Sequence, residues 1–436
     1  MFSSIYAQDS HYWNLQYGTK STLLGGAVIG SVTDLSATYY NPGAVSLFED
    51  PKIILSAKVY QYEQITVLNG AGENKDLDYS SVSPSPTFFA FKIIIDTSGR
   101  NKLAFSILTR QSMNFDFETR KIGISQNLNE LNNNFAAGGL SLQQKFDEIW
   151  GGVTFSHRIN DFIGIGATAY VASRNQSTNF QTIVEALDSI NQISSFLAIR
   201  NLKFNNYRAL LKTGLGVKLN PITFGLTVTT PSLNIFGNGS YGYHNFINNP
   251  NDPSQNVYES NYQDELKSNY KTSWAVGIGA AYWGKSLGVH FSAEWYDAVK
   301  KYEPIAVDPF YSQSADEYFT REITQQFKSV FNAGIGLDYK INDKFSVAAS
   351  FITDFSANDT NVETNISLSR WDIYHISAGS YFIIDESEIT IGLSYSFGSD
   401  AIKQVANIGD PEIGNNVNTT SDIKFTRIKV LFGFIF

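Results

Sequence analysis

One regularity of this chain decides most of what it can become: strand-like alternation, broken by connections that are by turns short and long. From Leu103 to Phe117 every second residue is Leu103, Phe105, Ile107, Thr109, Gln111, Met113, Phe115 or Phe117, with Arg110, Ser112, Asn114 and Asp116 among those between. A period of two marks a strand with one apolar and one mostly polar face. The run is also far longer than the five or six residues of a common strand. The pattern returns at Phe327, Ser329, Phe331, Ala333, Ile335, Leu337 and Tyr339, and again at Ile389, Ile391, Leu393, Tyr395 and Phe397. Tight-turn chemistry falls at Gly99-Arg100, Asn160-Asp161, Asn220-Pro221, Gly284-Lys285, Asn342-Asp343 and Asp385-Glu386. Longer polar stretches lie between these turns, at about 64–84, 120–147, 179–205, 236–268, 301–325, 357–366 and 399–421.

About fourteen antiparallel strands joined by strictly alternating short and long connections predict an all-β fold, a transmembrane outer-membrane β-barrel with short periplasmic turns and long external loops. A soluble β-sandwich keeps neither that rhythm nor strands of ten or more residues. The end of the chain agrees: in "FTRIKVLFGFIF" Ile428, Val430, Phe432, Phe434 and Phe436 alternate, and the terminal aromatic resembles the assembly signal of such barrels. Trp150, Trp274, Trp283, Trp295 and Trp371 fall near predicted strand ends, where an aromatic girdle or ordinary packing would place them.

Composition closes other routes. The 436 residues are 43% hydrophobic, yet no run of about 18 apolar residues occurs, which excludes membrane-spanning helices. A net charge of −9 argues against nucleic acid as a partner. With no cysteine there are neither disulfides nor thiolate metal sites. The five histidines, His11, His157, His244, His290 and His375, lack metal-ligand spacing, so no metal or cofactor is expected. His290, Ser292 and Glu294 share one predicted lumen face, but nothing selects them as catalytic, and the chain reads as a non-enzyme. Arg110, Asp116, Arg208, Lys212, Asp354, Arg427 and Lys429 point inward by parity, to pair with one another or to hold something in the lumen.

About 50 residues precede the first strand, "KIILSAKVY". Such a segment cannot sit in lipid, because its backbone belongs to no closed ladder, so it is expected inside or beneath the barrel. Residues 1–7 read as the tail of a secretory signal ending at Ala7, or as an ordinary terminus. Residues 8–50 read as a small plug and 51–436 as the barrel. Within the plug, Asp34 is placed to cap a short helix through Leu35, Ala37 and Tyr40, which Pro42 and Gly43 would end.

The text "GGAVIGSVTDLSATYYNPGAVSLFEDPKI" resembles the N-terminal hatch of the FadL/TodX family of outer-membrane transporters. Gly25, Gly26, Ala27, Asp34, Ala37, Tyr40, Asn41, Pro42 and Leu47 stand at the matching positions, and the family's Asn-Pro-Ala appears as Asn41-Pro42-Gly43. The motif covers residues 18 to 60, and the strand count and terminal Phe extend the likeness along the chain. The resemblance implies passive uptake of hydrophobic small molecules, long-chain fatty acids or hydrocarbons, gated by the hatch and released by a lateral route near the third strand. It also implies a monomeric barrel in the outer membrane of a Gram-negative bacterium, in contact with lipid and lipopolysaccharide, with both termini periplasmic. The third predicted strand, however, shows no glycine or proline to mark a kink. Some barrels of this type serve instead as adaptor or scaffold subunits in protein secretion, bound to a protein partner at the outer loops. A polar-solute porin ranks below both, since a plug obstructs open diffusion.

Two further patterns bear on the lumen and the loops. Gly164-x-Gly166, Gly214-x-Gly216, Gly277-x-Gly279 and Gly334-x-Gly336 each lie near a short turn, on the face opposite the apolar one. Glycine weakens a strand unless another backbone must approach it, so this belt is expected to make room for the hatch, or else to permit barrel curvature. In the long stretch 179–205, Ile183, Leu187, Ile190 and Leu197 recur at helical spacing and predict an amphipathic helix. With Phe236, Tyr241, Tyr243 and Phe246 of the next stretch they form either an external apolar capture surface, as the resemblance implies, or a lid.

Overall fold

The computed structural model describes residues 10–48, 53–72, 74–96, 98–124, 135–188, 190–358, 371–384, 387–403 and 420–435. The signal-like residues 1–7, the turn at Asp385-Glu386 and the terminal Phe436 lie outside the described residues. Fourteen antiparallel strands close into a barrel. In chain order they are β1 (Ile53–Val67), β2 (Leu77–Ile94), β3 (Asn101–Ile124), β4 (Phe135–Arg158), β5 (Ile163–Leu187) and β6 (Ile193–Leu219). β7 is broken into Ile222–Thr229, Leu233–Phe236 and Asn238–Asn248, and β8 into Val257–Lys267 and Ala275–Trp283. The wall continues with β9 (Leu287–Tyr296), β10 (Val330–Asn342), β11 (Phe345–Asp354), β12 (Asp372–Ile384), β13 (Ser387–Lys403) and β14 (Thr420–Ile435). β14 pairs with β1, Ile435 opposite Ile54 and Ile423 opposite Val67, so the sheet has no free edge.

Alternation supplies the two surfaces. Phe331, Ile335, Leu337 and Tyr339 of β10, Ile391, Leu393 and Tyr395 of β13, and Ile428, Val430 and Phe432 of β14 all face outward and are exposed, as a lipid-facing band requires. Phe327 falls on the opposite side. It belongs to a separate short strand, Gln325–Phe327, and is buried, because the chain changes register before Val330. Two small ribbons, Val299–Tyr302 with Gln325–Phe327 and Phe310–Ser312 with Glu317–Phe319, fold the long β9–β10 connection against the outer part of β8.

Several stretches that read as loops are strand. β5 and β6 run for 25 and 27 residues, and Ile183 stands opposite Leu197 in their ladder. At about 3.3 Å per residue such strands reach roughly 80 Å, far more than the ~30 Å hydrocarbon layer needs even when tilted. The predicted helix over 183–197 is therefore absent. Buried Thr182, Val184 and Ala186 alternate with less buried Ile183 and Leu187, and Ile190 is exposed in the turn. Outside lipid the strand has polar residues on both faces, which blurs the period of two and lets a helical spacing emerge by chance.

β3 holds the second correction. Its pairing with β4 shifts between Thr109 and Gln111, a bulge that places Arg110 and Gln111 in succession toward the lumen. One extra residue inverts every side chain beyond it. Leu103, Phe105, Ile107 and Thr109 face outward as read, but Met113, Phe115 and Phe117 are buried inside, and Asp116 is exposed rather than inward. The strand thus bends without glycine or proline.

Candidate functional site

Residues 10–48 lie inside the barrel, at the end where the short turns are. Their local structure is slight: α1 (Lys20–Leu23), α2 (Ala37–Tyr40) and a 3-10 turn over Pro42–Leu47. Asp34 does not cap α2 directly. Its carboxylate accepts the backbone N–H of Ser36 at 2.8 Å, and Ser36 occupies the N-cap position without a capping side-chain bond. Asn41 is the cap that matters, its side chain accepting from Gly43 N at 3.1 Å to open the 3-10 turn, with Pro42 in the first position. Gly25 and Gly26 sit at φ +65° and +77°, a region that glycine enters without a Cβ clash.

The segment is held from all sides. Lys20 pairs with Asp338 of β10 at 2.6 Å. Ile29 N donates to Ser292 of β9 at 3.0 Å, and Ser31 Oγ lies 2.7 Å from His290 Nδ1, whose Nε2 is 3.0 Å from Asp338. Asn41 Nδ2 donates to the Leu215 carbonyl of β6 at 3.0 Å, while Tyr170 of β5 donates to the Thr38 carbonyl at 2.7 Å. On the far wall Lys429 of β14 donates to the Asn14 carbonyl at 2.9 Å. The Ser31, His290 and Asp338 chain has the order of a hydrolytic triad, but His290 is fully buried and its acid is shared with Lys20, which makes the chain a tether.

Each of the eight glycines singled out above has the segment against its missing side chain. A Cβ on Gly43 would meet the Gly214 carbonyl oxygen at 2.5 Å and that of Gly164 at 2.6 Å. One on Gly279 would meet Gly30 N at 2.5 Å, and one on Gly336 would meet Leu24 at 3.0 Å. Gly166 and Gly216 approach Pro42 and Ala44, Gly277 approaches Ile29, and Gly334 approaches Trp13. Sequence reading missed Gly225, Gly379, Gly392 and Gly433, which meet Ile29, Leu23 and Thr19 in the same way. None of these four belongs to a Gly-x-Gly pair, so no local signal distinguished them.

Above the segment lies a belt of buried charge. Glu148 of β4 receives Arg174 at 2.9 Å and Arg208 at 2.7 Å, and Lys212 is 3.4 Å from Glu294. Arg110 lies between the rings of Tyr39 and Trp150, 5.7 and 5.5 Å from their centroids, and its Nη1 has no hydrogen-bond partner. On the opposite side Arg427 pairs with Glu63 at 2.5 Å. The space left at this level is only about 50 Å³, bordered by Tyr12, Arg110, Lys212 and Glu294. Further from the segment two apolar clusters are buried among the described residues. Phe115, Phe117, Phe146, Trp371 and Phe425 form one cluster, and Tyr241, Tyr243, Tyr270 and Phe310 belong to another.

The residues expected to form an external capture surface are brought together only in part: Ile183, Leu197 and Phe246 stand side by side across three strands, and the others lie apart. Tyr241 and Tyr243 point into the lumen, whereas Phe236 is exposed on the opposite face of β7 with its ring 4.4 Å from Tyr207, and Phe246 faces outward as well. Alternation separates them, since odd and even residues of one strand cannot share a face. Of the tryptophans, Trp150 and Trp371 are buried in the lumen, while Trp274 and Trp295 are exposed outside. A large apolar concavity lies on the outer wall: about 1080 Å³ across β2 to β8, lined by Phe89, Phe105, Ile107, Val171, Leu211 and Trp274 among others. Among the described residues no group of His, Asp or Glu is arranged to hold a metal ion.

No family model matches the sequence, and no curated protein matches it either. Solved structures do match in shape. A FadL homologue of Pseudomonas aeruginosa aligns over 100% of this chain and 99% of its own at TM-score 0.59 and 13% identity. The toluene transporter TodX of P. putida aligns over 96% and 98% at TM-score 0.61 and 13% identity, and the Ralstonia pickettii toluene transporter TbuX over 97% and 99% at 0.55 and 12%. Nearly complete coverage of both partners in each pair, with the closed ladder and the strand count, gives this chain the fold of the FadL/TodX-type channels.

Proposed function

We propose that the protein is an outer-membrane channel for the uptake of hydrophobic small molecules, in which residues 8–50 act as a hatch within a barrel of residues 51–436. The observation that carries this reading is the seating of residues 10–48 on a glycine-lined wall. Backbone meets backbone there, while Leu23, Tyr39 and Val45 share a buried apolar core with Phe88, Trp150 and Tyr381 of the wall, so the segment is seated as a fitted plug whose release separates that core as well. Arg110, with an unbonded nitrogen between two aromatic rings, suits the carboxylate of a fatty acid, and the apolar surroundings suit its chain. β2 pairs with β3 only from Phe88 to Ile94, yet the Tyr79 and Phe117 rings, 6.3 Å apart, fill the wall beside it from inside, so the bulge in β3 does not by itself open a lateral route on that side. The barrel acts as a monomer in lipid and lipopolysaccharide, with periplasmic termini and passive transport.

A second reading has one observation in its favour. The spaces beside the segment are small, about 50 and 20 Å³, which suits an adaptor or scaffold subunit that binds a protein partner at its outer loops. Native mass spectrometry with lipid extraction, on wild type and on a variant lacking residues 8–48, separates the two. Co-purified fatty acid or hydrocarbon, displaced by labelled ligand and lost with the hatch, supports uptake. A lipid-free barrel with a stoichiometric protein partner supports the adaptor.

A further inference from the structure

The break in β7 and β8 concerns the wall itself. Below it, Ile222–Thr229 pairs with Ala275–Tyr282 from end to end, and above it Asn238–Ile247 pairs with Val257–Lys267. Between them, residues 231–236 and 269–274 share no ladder among the described residues. Each edge is committed elsewhere. On the β7 side, Leu233 and Phe236 pair with Ala209 and Tyr207 of β6. On the β8 side, Asn269 N donates to the Pro304 carbonyl at 2.9 Å, and the Trp274 carbonyl accepts from Asp297 N at 2.9 Å. Pro231 has no N–H to offer a ladder. Across the slit two hydrogen bonds remain among the described residues, Ser232 N to Thr272 Oγ1 at 2.8 Å and a long one from Asn234 Nδ2 to the Ser268 carbonyl at 3.5 Å, above which Ser268 N meets the Gly237 carbonyl at 3.1 Å to restart the pairing.

Two spaces meet at this slit. The small cavity inside and the apolar groove outside are both bordered by Leu210 and Thr230, so these residues are what separates lumen from lipid. Leu233, Ile235, Phe236 and Trp274 around the outer mouth are exposed and apolar, as residues at the level of the hydrocarbon are. The side of β3 implied by the family resemblance is closed more heavily. There the Tyr79 and Phe117 rings lie 6.3 Å apart inside an extensive buried cluster.

We propose that the slit between β7 and β8 is a lateral portal, through which a molecule with a hydrocarbon or acyl chain passes between the lumen and the groove on the outer wall. The proposal rests on the uptake reading and adds the route. Ser232 and Thr272 form its latch, and Leu210 and Thr230 its barrier. Opening requires loss of two side-chain hydrogen bonds, one of them long, whereas any intact strand pair would have to lose a run of backbone bonds in a medium without water to replace them.

The chain has no cysteine, so an engineered pair reports without background. Radiolabelled palmitate uptake is measured in a Gram-negative host lacking its own fatty-acid channel. The proteins compared are wild type, the double variant S232C/T272C and, for the β3 side, Y79C/F117C. Oxidation of S232C/T272C is expected to lower uptake by about tenfold, with recovery on reduction, while oxidised Y79C/F117C retains it. T272V, which removes the latch acceptor, is expected to raise uptake by up to about fivefold. T230W, which thickens the barrier, carries the same expectation as the disulfide and serves if the disulfide does not close. Wild-type uptake by the locked protein, with the barrel folded by its heat-modifiable migration, overturns the portal and leaves the uptake reading intact. No uptake by wild type overturns both.

Discussion

Replacement of Gly43 by alanine tests whether backbone contact is what seats the N-terminal segment. The new Cβ would lie 2.5 Å from the Gly214 oxygen and 2.6 Å from that of Gly164, where ordinary contact begins at 3.4 Å, so about 0.9 Å is missing against two neighbours at once. Neither neighbour yields easily: Gly164 pairs with Gly216 and Gly166 with Gly214 in the β5–β6 ladder. Gly43 has no positive φ, so alanine brings no backbone strain and even lowers the entropy of the unfolded chain by about 0.4–1 kcal/mol. Overpacking of a rigid contact costs about 1–3 kcal/mol, and less the entropy effect the net is about 1.3 kcal/mol, which shifts docking toward release by about tenfold. Gly151 is the control, because a Cβ there meets nothing within 4 Å. In detergent-solubilised, folded barrel, G43A is expected to expose residues 10–48 to protease while G151A protects them as wild type does, both keeping heat-modifiable migration. Equal protection in G43A and G151A would refute the reasoning, since the glycine contact would then not determine docking.

Other substitutions probe the remaining contacts. N41A removes bonds to the Ile29 and Leu215 carbonyls at 2.9 and 3.0 Å and the cap on Gly43, and is expected to weaken docking by about 2–3 kcal/mol in the same protease assay. E148A leaves Arg174 and Arg208 buried without their shared anion, so the barrel is expected to lose about 3–5 kcal/mol in urea unfolding, whereas E148Q loses less. Burial pushes the Asp34 carboxyl above its ordinary value of 3.8, with hydrogen bonds from Ser36 opposing the shift. A raised value means that its stabilising share is full below 3.8 and is lost as pH rises through the higher value. Docking should therefore tighten on acidification, a dependence that D34N abolishes in protease protection. R110M should reduce palmitate binding more than hydrocarbon binding, read by displacement of labelled ligand, because only the carboxylate loses its partner.

What the sequence determined by itself was everything that a strict period of two and the turn chemistry encode. Short turns at Asn160-Asp161 and Asn220-Pro221, outward Ile335 and Leu337, and inward Arg208 and Lys429 follow from local residues, since in a closed sheet each strand's parity holds wherever pairing is regular. The Gly-x-Gly pairs were legible for the same reason, an unusual composition on a face that could be assigned. Tertiary structure decided what depends on irregularity. The bulge at Arg110 and Gln111 inverted the outer half of β3, with no residue type to announce it, because a bulge is set by pairing with β4 and not by its own sequence. Long polar strands such as β5 and β6 passed for loops, since beyond the lipid no hydrophobic face is required of them. The slit at Pro231 is of the same kind: a proline tells only that one N–H is missing, and whether the wall closes around it depends on where the neighbouring strand places its own bonds.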